Sequence, residues 1–186
     1  MRYIAFLRAI NIGGHVVKMA DLKKIFESLG FKSVETFIAS GNVIFDAPKK
    51  SATALESKIA TGLKKKLGYD VATFVRTEAE IAAISAHEPF SPEAMSRARV
   101  VYVAFTNVDL GEAHKGKLVT FCSELSDFVA HGREIYWRCQ VGQADSGFQT
   151  QKFEKIMGLA ATWRNMNTVR RLTAKYPVTT MKGKGK

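Results

Sequence analysis

Cysteine and long apolar runs are scarce in this sequence, and each scarcity excludes a class of protein. Two cysteines among 186 residues cannot form the disulfide framework of a small secreted domain, so we expect reduced thiols. No apolar run approaches the ~20 residues that a membrane-spanning helix needs. Arg8 and Asn11 interrupt the apolar N-terminal stretch too early for a signal peptide. The sequence therefore predicts a cytoplasmic protein without a membrane partner.

Motifs for metals, cofactors and covalent catalysis are missing as well. The four histidines show neither metal-ligand spacing nor cysteine companions, so we expect no zinc site. The sequence contains no GxGxxG and no P-loop lysine, and Ser40 lies outside any nucleophile-elbow pattern. We therefore expect no cofactor. Because no acid, base or nucleophile stands out, the sequence leaves open whether the protein is an enzyme.

What the chain has in excess is positive charge, +11 in total. Residues 1–77 carry 13 Lys/Arg against 6 Asp/Glu, whereas residues 78–186 carry 15 against 11, and three of those lysines lie in the terminal tail. This balance favours encounters with anions, nucleic acid included, without specifying a partner. A solvated basic surface is the structural alternative.

The hydrophobic pattern of the first half alternates between short strands and two helices. Apolar residues at helical spacing mark one helix around Leu22 and Phe26 and another around Ile59 and Leu63. Strands precede, separate and follow these helices, and Ser40-Gly41-Asn42 is typical of a tight connection between two of them. The predicted order is βαββαβ.

The second half repeats this order, although its similarity to the first half, letter by letter, is weak. Its two helices are predicted from the stripes Leu118-Phe121-Cys122-Leu125 and Phe153-Ile156-Met157. Two of the four prolines fall between the halves, which indicates a boundary there. We expect four regions: a first subdomain at 1–77, a helix and linker at 78–96, a second subdomain with a final helix at 97–177, and a basic disordered tail at 178–186.

The βαββαβ order is that of the ferredoxin-like unit, so we predict an α+β fold of two tandem ferredoxin-like subdomains with a C-terminal helix. The strands at 2–10 and 100–105 are apolar on both faces, which is typical of strands that are buried on both faces. Two sheets that cover each other, or a sheet covered by the final helix, would explain this pattern. A homodimer formed through an open sheet face is the alternative.

The predicted topology brings two polar segments together at one edge of the first sheet. The loop after the first strand, Arg8 to Gly14, should lie beside the turn Ser40 to Asn42. Glycines leave backbone amides accessible, a helix N-terminus favours an anion, and arginine adds a planar fork for phosphate or carboxylate. A third polar run, at 164–168, precedes the final helix. The candidate ligand-binding residues are Arg8, Asn11, Gly13, Gly14, Lys18, Ser40, Gly41, Asn42, Arg164, Asn165 and Asn167.

Each of these residues also has a structural interpretation. Arg8 could pair with Asp21 or Asp46 while the asparagines of the two loops brace the backbone. Arg164 could pair with Asp145 or Glu154. One asparagine of the 164–168 run is expected to cap the final helix.

Three functional hypotheses follow. The first is a binding module for an anionic small molecule or nucleic acid at the edge formed by Arg8–Gly14 and Ser40–Asn42. The second is a small enzyme that recognises a polar anionic substrate with arginine and asparagine. The third is a purely structural motif in an interaction protein. An RNA-recognition domain would carry aromatic platforms on its central strands, whereas the third strand offers Phe45 alone.

The polar segments also carry a family resemblance. The runs 7–14, 19–22, 40–45 and 164–169 resemble the hallmark segments of the bacterial domain-of-unknown-function family 1697, in order and over nearly the whole chain. The resemblance implies two ferredoxin-like subdomains and no established activity. The sequence departs from the family pattern at Ala9, Ala39 and Met166, where the family has glycine, glutamine and tryptophan.

Overall fold

The computed structural model of the chain describes residues 1–11, 16–38 and 41–178. Within these residues lie eight strands, seven α-helices and one 3₁₀ turn. The first half consists of β1 (Arg2–Leu7), α1 (Met19–Ser28), β2 (Lys32–Thr36), β3 (Asn42–Asp46), α2 (Ala52–Leu67) and β4 (Thr73–Thr77). The connection contains α3 (Glu78–Ala86) and α4 (Pro92–Ser96). The second half consists of β5 (Val100–Phe105), α5 (Glu112–Leu118), the 3₁₀ turn (Val119–Phe121), β6 (Ser126–His131), β7 (Glu134–Cys139), α6 (Thr150–Met157), β8 (Thr162–Asn165) and α7 (Met166–Lys175).

The fold is mixed α+β and contains two four-stranded antiparallel sheets. Their strand orders are β2-β3-β1-β4 and β6-β7-β5-β8, so corresponding strands occupy corresponding places. Central strand β1 pairs with β3 and β4, and central strand β5 pairs with β7 and β8. The element order βαββαβ therefore occurs twice, as the hydrophobic pattern predicts.

Helices cover the outer face of each sheet. Leu22 and Phe26 of α1, together with Ile59 and Leu63 of α2, are buried against the first sheet, as their helical spacing predicts. Phe153 of α6 is buried in the same way against the outer face of the second sheet. Each sheet with its two helices therefore has a hydrophobic core of its own.

A third core forms where the inner faces of the two sheets meet. Phe6 of β1 and Phe105 of β5 stack there, with ring centroids 3.9 Å apart. Helices α3 and α7 pack against each other and contribute Ile81 and Val169 to the same core. The strands that are apolar on both faces are thus covered within one chain, so the pattern that suggested a homodimer is explained without one.

A buried arginine crosses this interface from the first half to the second. Arg76 of β4 is 1 % exposed, and its Nε donates to Glu134 Oε1 at 2.6 Å. Its Nη2 donates to the carbonyl oxygen of Thr106 at 2.9 Å. A buried guanidinium needs acceptors for its donors, and the residue after β5, the start of β7 and the neighbouring Val75 carbonyl supply them.

The sequence-based assignment of the first helix in the second half is wrong in its C-terminal part. Helix α5 ends at Leu118, the chain continues as a 3₁₀ turn, and Cys122 and Leu125 are exposed. Ile156 of α6, predicted as core, is also exposed, at 38 %. The aromatic rings around Phe121 and Phe148 fill the outer core of this half.

Among the described residues, the structure contains no helix that is long and apolar enough to cross a membrane.

Candidate functional site

The first site residue, Arg8, reaches from the first half of the chain to the second. It follows β1 directly, and its Nη2 donates to Glu154 Oε2 on α6 at 2.5 Å. The Arg8 side chain is 38 % exposed, whereas that of Glu154 is 15 % exposed. Glu154 Oε1 also accepts a hydrogen bond from the backbone amide of Ala161. The carboxylate is therefore fixed by two hydrogen bonds, and among the described residues the Arg8 guanidinium donates to Glu154 through Nη2 alone.

A cleft of about 420 Å³ opens beside this ion pair, between the two halves. Arg8 and Asn11 line one wall, and Gln151, Glu154 and Trp163 line the other. Among the described residues that line the cleft, Arg8 and the buried Arg164 are positively charged and Glu154 is negatively charged, so their net charge is positive.

The N-terminus of α6 faces this cleft through Thr150 and Gln151. The preceding residue, Gln149, makes no side-chain hydrogen bond to the first turn, whereas Ser51 caps the corresponding helix α2. The first amides of α6 are thus left without a side-chain acceptor, and they carry the positive end of the helix dipole.

Asn11 lines the cleft and also braces the loop after β1. Its Oδ1 accepts a hydrogen bond from the backbone amide of Val17 at 2.8 Å. The two predicted glycines of this loop, Gly13 and Gly14, lie outside the described residues. Lys18 immediately precedes α1 and is exposed, and it does not line the cleft.

Gly41 and Asn42 lie behind the cleft rather than in it. The Gly41 carbonyl accepts from Leu7 N at 2.8 Å, and its φ of +72° favours glycine. A Cβ at this position would also meet Ile10 at 3.1 Å. Asn42 is 0 % exposed, and its Nδ2 donates to the Phe37 carbonyl. The predicted neighbour Ser40 lies outside the described residues.

Arg164 is buried and bound to the first half of the chain. Its Nε donates to Asn42 Oδ1 at 2.6 Å, and its Nη2 donates to the Leu7 carbonyl at 3.1 Å. Its guanidinium lies 5.6 Å from the centroid of the Phe6 ring. Burial lowers the pKa of Arg164 to about 10, so the side chain keeps its charge at neutral pH. Asn42 is thus one partner of Arg164, in place of the carboxylates considered from the sequence.

Asn165 and Asn167 lie at another place. Asn165 Oδ1 accepts from Asn167 N at 2.8 Å, so Asn165 caps α7, as one asparagine of the run was expected to do. Both residues line a smaller groove of about 190 Å³ with Arg99 and Arg170. They do not share the cleft of Arg8.

The candidate residues therefore separate into three groups. Arg8, Asn11 and Arg164 line the cleft, Gly41 and Asn42 support it from behind, and the remaining described candidates lie elsewhere. Sequence reasoning missed Gln151 and Trp163, and it considered Glu154 only as a partner for Arg164. These residues follow the second predicted hairpin by 10 residues or more, so only the packing of the halves reveals them.

Comparisons with known proteins agree with the architecture and assign no activity. A solved structure, titled as that of the conserved bacterial protein SP0830 from Streptococcus pneumoniae, superposes with a TM-score of 0.70. It is 20 % identical, and the match covers 94 % of this chain and 97 % of that one, which is a likeness of fold. No match was found among curated proteins. The model of a family described as "protein of unknown function (DUF1697)" matches residues 1–136, and the chain therefore belongs to this family.

Proposed function

We propose that the protein is a binding module whose ligand is a small anionic molecule, a carboxylate or a phosphate, held in the cleft beside Arg8. The observation that carries the proposal is that Arg8 is only partly paired and partly exposed. A single carboxylate holds one nitrogen of its guanidinium, and 38 % of the side chain is exposed at the mouth of a cleft of about 420 Å³.

The electrostatics of the cleft support an anion over a cation or a neutral molecule. A guanidinium presents five donors in a planar fork, and Glu154 accepts from one nitrogen only. The uncapped first turn of α6 adds the partial positive charge of a helix N-terminus. Buried Arg164 contributes a full charge that solvent screens poorly.

The size of the cleft supports a small ligand in preference to a nucleic acid strand. Ligand pockets commonly enclose about 300–1,000 Å³, and this cleft lies near the lower end of that range. Polar groups for orientation are present at Asn11, Thr150 and Gln151. A nucleic acid would instead need a long basic track with aromatic platforms.

Calorimetric titration with inorganic pyrophosphate and with citrate tests the proposal. Arg8→Ala should weaken binding at least about tenfold, because a hydrogen-bonded charge is lost. It should change the free energy of unfolding by about 1 kcal/mol or less, since the ion pair is partly exposed. Arg97→Ala is the matched control, because this arginine is 59 % exposed and, among the described residues, its side chain pairs with Glu93 alone.

Glu154→Gln sharpens the test. The amide oxygen can still accept from Ala161 N, but the negative charge that competes with a ligand for Arg8 is gone. We expect tighter anion binding by this variant. Equal losses for Arg8→Ala and Arg97→Ala would contradict the proposal. So would tight binding of a mixed single-stranded oligonucleotide that Arg8→Ala leaves unchanged.

We also propose the finer architecture predicted from the sequence. Each half would be a ferredoxin-like unit, which the shared antiparallel strand orders support. The division would fall at 1–77, 78–96 and 97–177, with 178–186 as a tail. The cleft would then be a site between two related units.

A further inference from the structure

A second cavity, of about 530 Å³, lies between the end of α3 and the turn that joins β6 and β7. We call it the histidine cavity, because His87 and His131 line it together with Asp109 and Tyr136. It shares no lining residue with the cleft beside Arg8. A ligand of the histidine cavity would therefore bind independently of the anion proposed for the cleft.

Several polar side chains of the histidine cavity have no hydrogen-bond partner in the described part of the chain. Tyr136 is 0 % exposed, and its buried hydroxyl is unpaired. Asp109 forms neither a hydrogen bond nor an ion pair with any described residue. His87 and His131 contact each other through their rings and form no hydrogen bond within the described residues. Asp109 and His131 are exposed and water can pair with them, whereas the Tyr136 hydroxyl is buried. A buried polar group without a partner, at the wall of a cavity, points to a ligand that pairs with it.

The charges of the histidine cavity leave one negative charge without compensation. Glu80 accepts from Arg133 Nη2 at 2.7 Å, and Glu134 accepts from Arg76 Nε at 2.6 Å, so these two pairs cancel. Asp109 is the remaining charged side chain. The positive charge of the rest of the chain acts over longer distances and is screened beyond about 8 Å at physiological ionic strength.

The stacked imidazoles add acceptors and aromatic faces. Their ring centroids lie 4.3 Å apart, and their planes are inclined by 25°. Burial, and then the neighbouring His131, lower the pKa of His87, so its ring is neutral at pH 7.5. Tyr136 lies on the other side of His87, with ring centroids 5.0 Å apart. The neutral His87 ring and the Tyr136 phenol can each accept a hydrogen bond, and the tyrosine ring attracts cations.

A shared metal ion does not fit this arrangement. A bound ion lies near the plane of each imidazole that holds it, and two stacked rings inclined by only 25° have no such common position close by. The described residues contain no group of three or more metal-binding side chains.

We propose that the histidine cavity binds a primary ammonium group carried on an aliphatic stem. The three N–H donors of the ammonium pair with the Asp109 carboxylate, an imidazole nitrogen and the Tyr136 oxygen. The stem packs on Ala83 and Ile84, which form the apolar wall of the cavity. A free polyamine and the lysine side chain of another protein share this chemistry.

Amide chemical shifts in a titration with putrescine test the proposal, with the neutral isostere 1,4-butanediol as the ligand control. We expect saturable shifts around Asp109 and His131 with putrescine alone. Asp109→Asn should weaken binding at least about tenfold, because a charge-assisted hydrogen bond is lost. Asp145→Asn changes another exposed aspartate, one away from the cavity, and should leave binding unchanged.

Tyr136→Phe supplies a readout that a purely structural role would not give. Removal of an unpaired buried hydroxyl should stabilise the free protein while it weakens putrescine binding. Tighter binding of Nα-acetyl-lysine methylamide than of putrescine would assign the ligand to a protein lysine, and the reverse order would assign it to a polyamine. Equal shifts with butanediol, or equal losses in Asp109→Asn and Asp145→Asn, would overturn the proposal.

Discussion

Replacement of Arg164 by alanine should destabilise the protein severely, although sequence reasoning groups Arg164 with the ligand-binding residues. The guanidinium is nine-tenths buried and donates to Asn42, Thr162 and two backbone carbonyls. It also lies over the ring of Phe6. These contacts join β8 of one half to β1 and β3 of the other.

The magnitude follows from what Arg164→Ala leaves behind. The buried Asn42 side-chain oxygen loses its hydrogen bond from the guanidinium, and a hydrogen bond to a charged group contributes about 1.5–3 kcal/mol. A cavity of arginine size at the interface adds to this cost. Loss of a buried hydrogen-bond network is among the changes that destabilise proteins most, and we expect a loss of about 3 kcal/mol or more. The total stability of a domain is only about 5–15 kcal/mol.

Urea unfolding at pH 7 measures the effect, with two comparison variants. Arg76→Ala removes the other crossing arginine and should cost at least as much, because it strands the buried carboxylate of Glu134. Arg97→Ala removes an exposed arginine and should cost about 1 kcal/mol or less. A loss below about 1 kcal/mol for Arg164→Ala, with an unchanged urea slope, would refute the claim that this arginine holds the halves together.

Two further predictions concern strain and pH. Ala9 has a φ of +58°, which costs an L-residue roughly 1 kcal/mol, so Ala9→Gly should raise the melting temperature by about 2–4 °C. A melting temperature for Ala9→Gly at or below that of the unchanged protein would contradict this strain. Because the folded state lowers the pKa of His87, the unfolded state binds more protons below about pH 6.5, and stability should fall as the pH falls through that window. Urea unfolding between pH 7.5 and 5 should show this slope, and His87→Gln should reduce it.

Much of the fold could be predicted because local patterns determine it. The stripes around Leu22 and Ile59 each match one buried helix face, and the glycine at position 68 ends α2 in a left-handed conformation. The exposed Cys122 and Ile156 were misassigned for a local reason too. Apolar residues there match a helical period, but aromatic rings around Phe148, brought in from a loop, fill the core instead.

The candidate site was only half predictable, because its second wall comes from the other half of the chain. The expected partners of Arg8 were Asp21 and Asp46, both close in sequence, whereas the observed partner, Glu154, is 146 residues away. Asn42 was expected at a surface edge, and it is buried because Arg164 closes over it. Contacts of this kind depend on how two sheets pack, which no pattern within one half encodes.

One signal in the sequence does connect the halves. Residues 3–6 read Tyr-Ile-Ala-Phe, and residues 102–105 read Tyr-Val-Ala-Phe. Both segments are central strands, and their phenylalanines stack on each other. The strand registers extend this correspondence, because Arg76 lies opposite Ile4 and Arg164 lies opposite Val103, which are equivalent positions of the repeat. The two crossing arginines therefore occupy equivalent places in the two sheets, although the spacing along the sequence does not align them.

The contacts between the halves differ at helices α2 and α6. Glu56 and Glu154 are each the fifth residue of their helix, and each accepts from a backbone amide, that of Val75 in β4 or that of Ala161 just before β8. Each also accepts from the residue two positions beyond the repeated phenylalanine, which is Asn107 for Glu56 and Arg8 for Glu154.

Asn107 also donates to a backbone carbonyl, so both of its side-chain hydrogen bonds go to the first half of the chain. Arg8, the corresponding residue of the first half, contacts the Glu154 carboxylate and borders an open cleft. The Asn107 side chain shows that the two hydrogen bonds of a neutral amide are sufficient to connect the halves at this position. The additional donors and charge at position 8 therefore exceed what the fold requires, and this excess is the physical reason to look for the ligand there.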